Sequence, residues 1–74
     1  MSRLILTFPT LPRVLAADKT LRDRIDCRPT PTPSGLSADI CSISLELLDQ
    51  AQRQQALDIL NAAALPPSGV HEIT

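Results

Sequence analysis

The pattern of apolar and polar residues changes several times along the chain and predicts alternating strands and helices. Residues 4–8 form a compact apolar run, typical of a buried strand, and Pro9 ends it. Over 11–24, apolar residues recur at steps of three and four, which is typical of an amphipathic helix. In order, the predicted elements are a strand at 4–8, a helix at 11–24, an extended segment at 25–33, a strand at 40–47, a helix opened by Asp49 and Gln52, and a strand at 70–73.

Each predicted element also has an expected inner face. In the first helix the spacing turns Leu11, Val14, Leu15, Leu21 and Ile25 inward, and the pairs Asp18–Arg22 and Lys19–Asp23 lie on the solvated side. Strict alternation over 40–47 predicts a half-buried strand, with Cys41, Ile43, Leu45 and Leu47 on the inner face and Ser42, Ser44 and Glu46 on the outer face. The second helix should bury Ala56, Ile59, Leu60 and Ala63.

Prolines locate the remaining segment. Pro29, Pro31 and Pro33 stand at every second position, which forbids a helix and favours the edge of a sheet. The resulting order is strand, helix, strand, strand, helix, strand. The most economical fold for it is a single α+β domain over 1–74 of the ferredoxin-like βαββαβ type, a four-stranded antiparallel sheet with two helices on one face.

Composition narrows the function classes. The chain has 74 residues, a net charge of −1 and Phe8 as its single aromatic residue, so it lacks the basic surface and stacking platforms of nucleic-acid binders. No apolar run is long enough for a membrane span, and the N-terminal run is too short for a signal peptide. We therefore expect a cytoplasmic protein with reduced thiols.

Reactive side chains are few: Cys27, Cys41 and His71. Two cysteines and one histidine give at most three ligands without a paired motif, so we expect no metal and no cofactor. No acid–base pair is visible and His71 should be a solvent-facing strand residue, so we expect no enzyme. A hairpin turning near Ser34 and Gly35 would set Cys41 opposite a residue near position 29, which makes a disulfide with Cys27 doubtful.

The two thiols have different surroundings. Cys27 is expected to be a small, part-buried apolar residue. Cys41 follows the small-residue stretch 33–39, whose free N–H groups can lower the pKa of a thiol, although Asp39 acts in the opposite direction. The residues alone do not decide between a reactive Cys41 and a buried structural Cys41.

Several short motifs carry a resemblance to a known family. In chain order they are Thr7-Phe8-Pro9-Thr10, Pro31-Thr32-Pro33, Leu36-Ser37-Ala38-Asp39, Cys41, and Ile43-Ser44-Leu45-Glu46. Over nearly its full length the chain resembles the small bacterial proteins called putative selenium/sulfur carrier protein-like. Ser34 stands where the family usually has a basic residue, and Ser42 where it usually has Gly. Aligning Cys41 also needs the extra residue Ile40, an insertion that keeps Ile43, Leu45 and Leu47 in phase.

The resemblance implies a carrier that holds sulfur or selenium on Cys41 as a persulfide or selenopersulfide. Ser37 and Ser42 would donate hydrogen bonds, Pro31 and Pro33 would stiffen one wall, and donor and acceptor proteins would be the partners. The alternative is a non-catalytic ferredoxin-like binding module of unknown ligand that works through the edge segment 28–33 or the open sheet face. A homodimer is compatible with either function.

Overall fold

The described residues include one four-stranded antiparallel sheet, and its two central strands are its most buried ones. In this computed structural model residues 3–33 and 42–73 are described. The elements are β1 Arg3–Thr7, α1 Leu11–Leu21, β2 Cys27–Pro31, β3 Ile43–Leu47, a 3₁₀ turn Gln50–Gln52, α2 Arg53–Ala62 and β4 Gly69–Ile73. The strand order β2-β3-β1-β4, with both helices on one face, confirms the predicted ferredoxin-like α+β fold.

The core lies between the sheet and the two helices. Alternate residues of β1 and β3 point into it, and α1 and α2 each contribute one stripe. Its fully or nearly buried members are Leu4, Leu6, Phe8, Val14, Ala17, Leu21, Ile25, Leu45, Leu47, Ala56 and Leu60.

Helix α1 is shorter than predicted and turned about its axis. It ends at Leu21, and residues 22–24 form a turn rather than a last helical stretch. Pro12 lies in its first turn, and Thr10, which precedes the helix, makes no side-chain cap. Leu11 and Leu15, expected inside, are 45% and 53% exposed because Val14, Ala17 and Leu21 form the inner stripe.

Asp49 caps the 3₁₀ turn that leads into α2 rather than α2 itself, and Gln52 acts differently from the prediction. The Asp49 carboxylate accepts a hydrogen bond from the Ala51 N–H at 3.0 Å. The Gln52 side chain instead bridges to the segment before β2, accepting from the Asp26 N–H at 3.0 Å and donating to the Arg24 carbonyl at 3.2 Å. Of the predicted stripe, Ala56 and Leu60 are buried, Ile59 is half-buried and Ala63 is exposed.

The outer face of β3 is more buried than alternation predicted. Ser44 and Glu46 are 0% and 7% exposed, and Ile5 on the neighbouring strand is 0% exposed. Ser44 Oγ lies 2.6 Å from Thr32 Oγ1, and Glu46 lies beneath two arginines. Alternation predicts that this face is exposed to solvent. It can be buried because its polar atoms have hydrogen-bond partners.

Candidate functional site

Cys27 lies at the start of β2, beneath α1, and is the cysteine that the structure describes. It is a free thiol, half-buried, and packs against the edge of the hydrophobic core. Its Sγ donates a hydrogen bond to Asp18 Oδ1 on α1 at 3.8 Å. This geometry confirms the expectation of a small, part-buried residue and adds a polar partner.

Burial and negative charge both act against a Cys27 thiolate. Burial is the largest cause and, with the charge of Asp18 and the hydrogen bond to it, raises the pKa of the Cys27 thiol to about 11. Arg22 acts in the opposite direction, with a smaller effect than burial. Since the thiolate is the nucleophile, Cys27 is a poor attacking group at neutral pH.

Asp18 is buried, and its predicted position on the solvated face of α1 is wrong. The residue is 5% exposed, and its Oδ2 accepts a hydrogen bond from Arg22 Nη2 at 2.5 Å. The predicted Asp18–Arg22 pair is therefore formed, but its carboxylate lies on the inner side of the helix. Position 18 follows Val14 by four and precedes Leu21 by three, a spacing that already marked it as inward.

Cys41 and Ser37 lie outside the described residues, so their predicted roles stay predictions. The structure does describe the two strand ends that flank them. Pro31 pairs with Ile43, and the Thr32 N–H donates to the Ser42 carbonyl at 2.7 Å. Pro31, Pro33 and Ser42 are thus at the same end of the β2–β3 pair, with Pro31 and Ser42 exposed and Pro33 half-buried.

The pairing of β2 with β3 differs from the prediction by four residues. Pro29 pairs with Leu45, and Cys27 pairs with Leu47 at the far end of the strand pair. The expectation that Cys41 lies opposite a residue near position 29 is therefore wrong. The error came from centring the hairpin on the Ser-Gly pair, since turn residues mark a turn more reliably than they set its register.

His71 lies on the opposite edge of the sheet from Cys27. It is half-buried rather than solvent-facing, with Nε2 at 3.4 Å from Thr7 Oγ1. A Cβ on Gly69 would come within 2.7 Å of the same Nε2, so the glycine leaves room for the ring. β4 and β2 are the two edge strands, which separates this imidazole from the Cys27 thiol.

No metal centre is formed within 3–33 and 42–73, where no group of three or more His, Cys, Asp and Glu side chains could hold an ion. Within the same ranges no helix is long and apolar enough to cross a membrane.

An ion-pair network on the open face of the sheet was not foreseen. Glu46 accepts hydrogen bonds from Arg3 Nε and Nη2, both at 3.1 Å, and from Arg28 Nη2 at 3.3 Å. The hydrogen bonds from Arg3, followed by those from Arg28, hold the pKa of Glu46 below its usual value, against the effect of burial. Arg28 and Glu46 are paired residues of β2 and β3, so this ion pair could be predicted only if the register of the two strands were known.

Comparison with known proteins identifies one family. The chain matches the model of the family described as putative Se/S carrier protein-like over residues 3–72. Neither the curated proteins nor the solved structures contain a significant match.

Proposed function

The chain belongs to the putative Se/S carrier protein-like family, and we propose on that basis that it holds one sulfur or selenium atom as a persulfide or selenopersulfide on Cys41. The protein is then a stoichiometric carrier rather than an enzyme. A donor protein loads it and an acceptor protein unloads it, and the exchange takes place in the cytoplasm, where thiols are kept reduced.

The state of the other cysteine supports the choice of Cys41. The chain has two cysteines, and a carrier needs a thiol that is accessible and largely ionised near neutral pH. Cys27 is half-buried, donates a hydrogen bond to Asp18, and has a pKa raised to about 11. That single observation disfavours Cys27 and supports the proposal of Cys41 as the anchor.

The proposed loading step is an exchange between sulfur atoms without net oxidation. The Cys41 thiolate attacks the outer sulfur of a donor persulfide, forming a new S–S bond. The donor's own S–S bond breaks, and its electron pair leaves with the donor's inner sulfur as a thiolate. Unloading is the same exchange with an acceptor thiolate as the attacking group.

The flanking residues have supporting roles in this proposal. Ser37 and Ser42 donate hydrogen bonds to the anionic sulfur. Pro31 and Pro33 have fixed φ angles, so they stiffen the wall formed by the end of β2. These two prolines and Ser42 lie at one end of the β2–β3 pair, which is compatible with a common site.

The test is the intact mass of the protein after incubation with a persulfide-generating cysteine desulfurase. We expect the native chain and a Cys27→Ser variant to gain one sulfur atom, reversibly by reductant. A Cys41→Ser variant should gain none. Equal gain in the Cys41→Ser variant, or no gain in the native chain, would overturn the proposal.

A further inference from the structure

Asp18 divides its two carboxylate oxygens between two partners where α1 packs against β2. Oδ2 accepts from Arg22 Nη2 at 2.5 Å, and Oδ1 accepts from the Cys27 thiol at 3.8 Å. Asp18 is 5% exposed, whereas the Arg22 side chain is 69% exposed. A buried carboxylate is costly without a charged partner, so the Arg22 bond is what allows Asp18 to lie against the sulfur.

The surroundings of the thiol contain two more contributors. Asp26, the residue before Cys27, adds negative charge, and Arg22 adds the opposing positive charge. From β3 the residue that pairs with Cys27 is the apolar Leu47. Among Asp18, Arg22 and Asp26, Asp18 is therefore the charged residue that is hydrogen-bonded to the sulfur.

A second ionised thiol would compromise a carrier. A Cys27 thiolate could take the outer sulfur of a donor persulfide by the same exchange, forming its own S–S bond while the donor's bond breaks and the donor leaves as a thiolate. Keeping the proton on Cys27 prevents this attack, because the thiol form is a poor nucleophile.

We propose that Asp18 is a positioning residue that holds Cys27 as a hydrogen-bonded thiol and so confines chalcogen loading to the other cysteine of the chain. The proposal rests on the proposed carrier function, but the state of Cys27 can be measured without it.

The first experiment follows alkylation of Cys27 by iodoacetamide against pH, in a Cys41→Ser background. Asp18→Asn keeps the size of the side chain and removes its charge, so the midpoint should fall by about one pH unit or more. This corresponds to about a tenfold faster reaction at neutral pH, because one unit of pKa is a tenfold change in thiolate fraction. The matched control is Asp23→Asn, the same substitution at an exposed position of the turn after α1, which should leave the midpoint unchanged.

A second variant, Arg22→Gln, acts in the opposite direction and keeps the Asp18 carboxylate, although without its charged partner. Arg22→Gln removes the positive charge near the thiol, so alkylation at pH 9 should slow by roughly threefold, which is about half a unit of pKa. An unchanged midpoint in Asp18→Asn would overturn the role of Asp18, whatever the Arg22→Gln rate. If Asp18→Asn fails to fold, Asp18→Ser measured in the same way takes its place, and an unchanged midpoint there would overturn the role equally.

The loading assay then separates this inference from the carrier function. With Cys41 present, both chains should gain one sulfur atom from the desulfurase, and the Asp18→Asn variant should then add a second atom on Cys27 about tenfold faster than the native chain. Equal rates of the second addition would overturn the confining role. No sulfur on the native chain would overturn the carrier proposal, while the alkylation midpoints would still decide whether Asp18 holds the thiol.

Discussion

Ala64 adopts a backbone conformation that suits glycine better. Its φ is 58°, the one positive value recorded for a described residue other than glycine. It lies just after α2, where the Leu65 N–H reaches back to the Leu60 carbonyl at 2.8 Å. This is the hydrogen bond of a Schellman ending, which requires a left-handed residue at this point.

We therefore expect Ala64→Gly to raise the free energy of unfolding by about 1 kcal/mol, because the left-handed conformation costs an L-residue about that much. Urea unfolding at pH 7 measures it. The matched control is Ala62→Gly, within α2, which should lower the free energy of unfolding by about 0.5–1 kcal/mol. Loss of stability in both variants would show that the turn is not strained at Ala64.

Single residues also show where inference from the sequence ends. The inward position of Asp18 could have been read from its spacing to Val14 and Leu21, but a carboxylate is normally assigned to solvent. Its burial depends on Arg22 and Cys27, and Cys27 is brought to it by the fold rather than by sequence distance. No local sequence pattern predicts the contact between Asp18 and Cys27.

Among the elements, β2 shows how prolines protect a free sheet edge. The Thr32 N–H points to β3, so by alternation the N–H groups of Thr30 and Arg28 point the same way. Pro29 and Pro31 occupy the positions whose N–H groups would point outward. The edge is thus deprived of donors there, which counts against a binding module that works by adding a strand at 28–33.

Restoring those donors should promote association. A Pro29→Ala/Pro31→Ala variant gains two outward N–H groups, each worth about 0.5–1.5 kcal/mol in a hydrogen bond, so we expect the self-association constant to rise by roughly tenfold. Sedimentation equilibrium over a range of concentrations measures it. Pro66→Ala/Pro67→Ala makes the same change in composition before β4 and should not associate further. Equal association of the two variants would contradict edge protection.

The order and types of elements followed from the sequence because strands and helices have distinct periods and the prolines exclude a helix. The edge position of the proline segment was correct for the same reason. The predicted rotation of α1 and the predicted register of β2 against β3 were wrong. Leu11 and Leu15 of α1 are exposed, and Pro29 pairs with Leu45 instead of lying opposite Cys41. These depend on packing between elements, about which local pattern carries little information.

At the scale of the whole molecule, Glu46 links three strands and makes the fold sensitive to acid. Its carboxylate on β3 is bound by Arg3 of β1 and Arg28 of β2. Because these bonds lower its pKa in the folded state, its contribution to stability is fully present above the usual pKa of 4.5. That contribution is lost as the pH falls below 4.5 and through the lowered pKa of the folded protein.

We expect Glu46→Gln to lower the free energy of unfolding at pH 7 by about 1.5–3 kcal/mol, the range for hydrogen bonds to a charged group. At pH 3 the difference between the variant and the native chain should be smaller. Urea unfolding at both pH values measures the difference, with Glu72→Gln at an exposed position of β4 as the control. A gap that is as large at pH 3 as at pH 7 would assign the loss to packing instead of charge.

The alkaline limit of the fold depends on Cys27. Its pKa rises from 9.0 in the unfolded chain to about 11 in the fold, so the contribution is fully present below pH 9 and is lost as the pH rises towards 11. One released proton gives a slope of at most about 1.4 kcal/mol per pH unit, reduced by the partial exposure of the thiol. Unfolding in urea between pH 8 and 11, under reductant, should therefore show a steeper decline for the native chain than for Cys27→Ala. Parallel declines would mean that the pKa of Cys27 is the same in the folded protein as in the unfolded chain. That result would also remove the reason for excluding Cys27 as the carrier thiol.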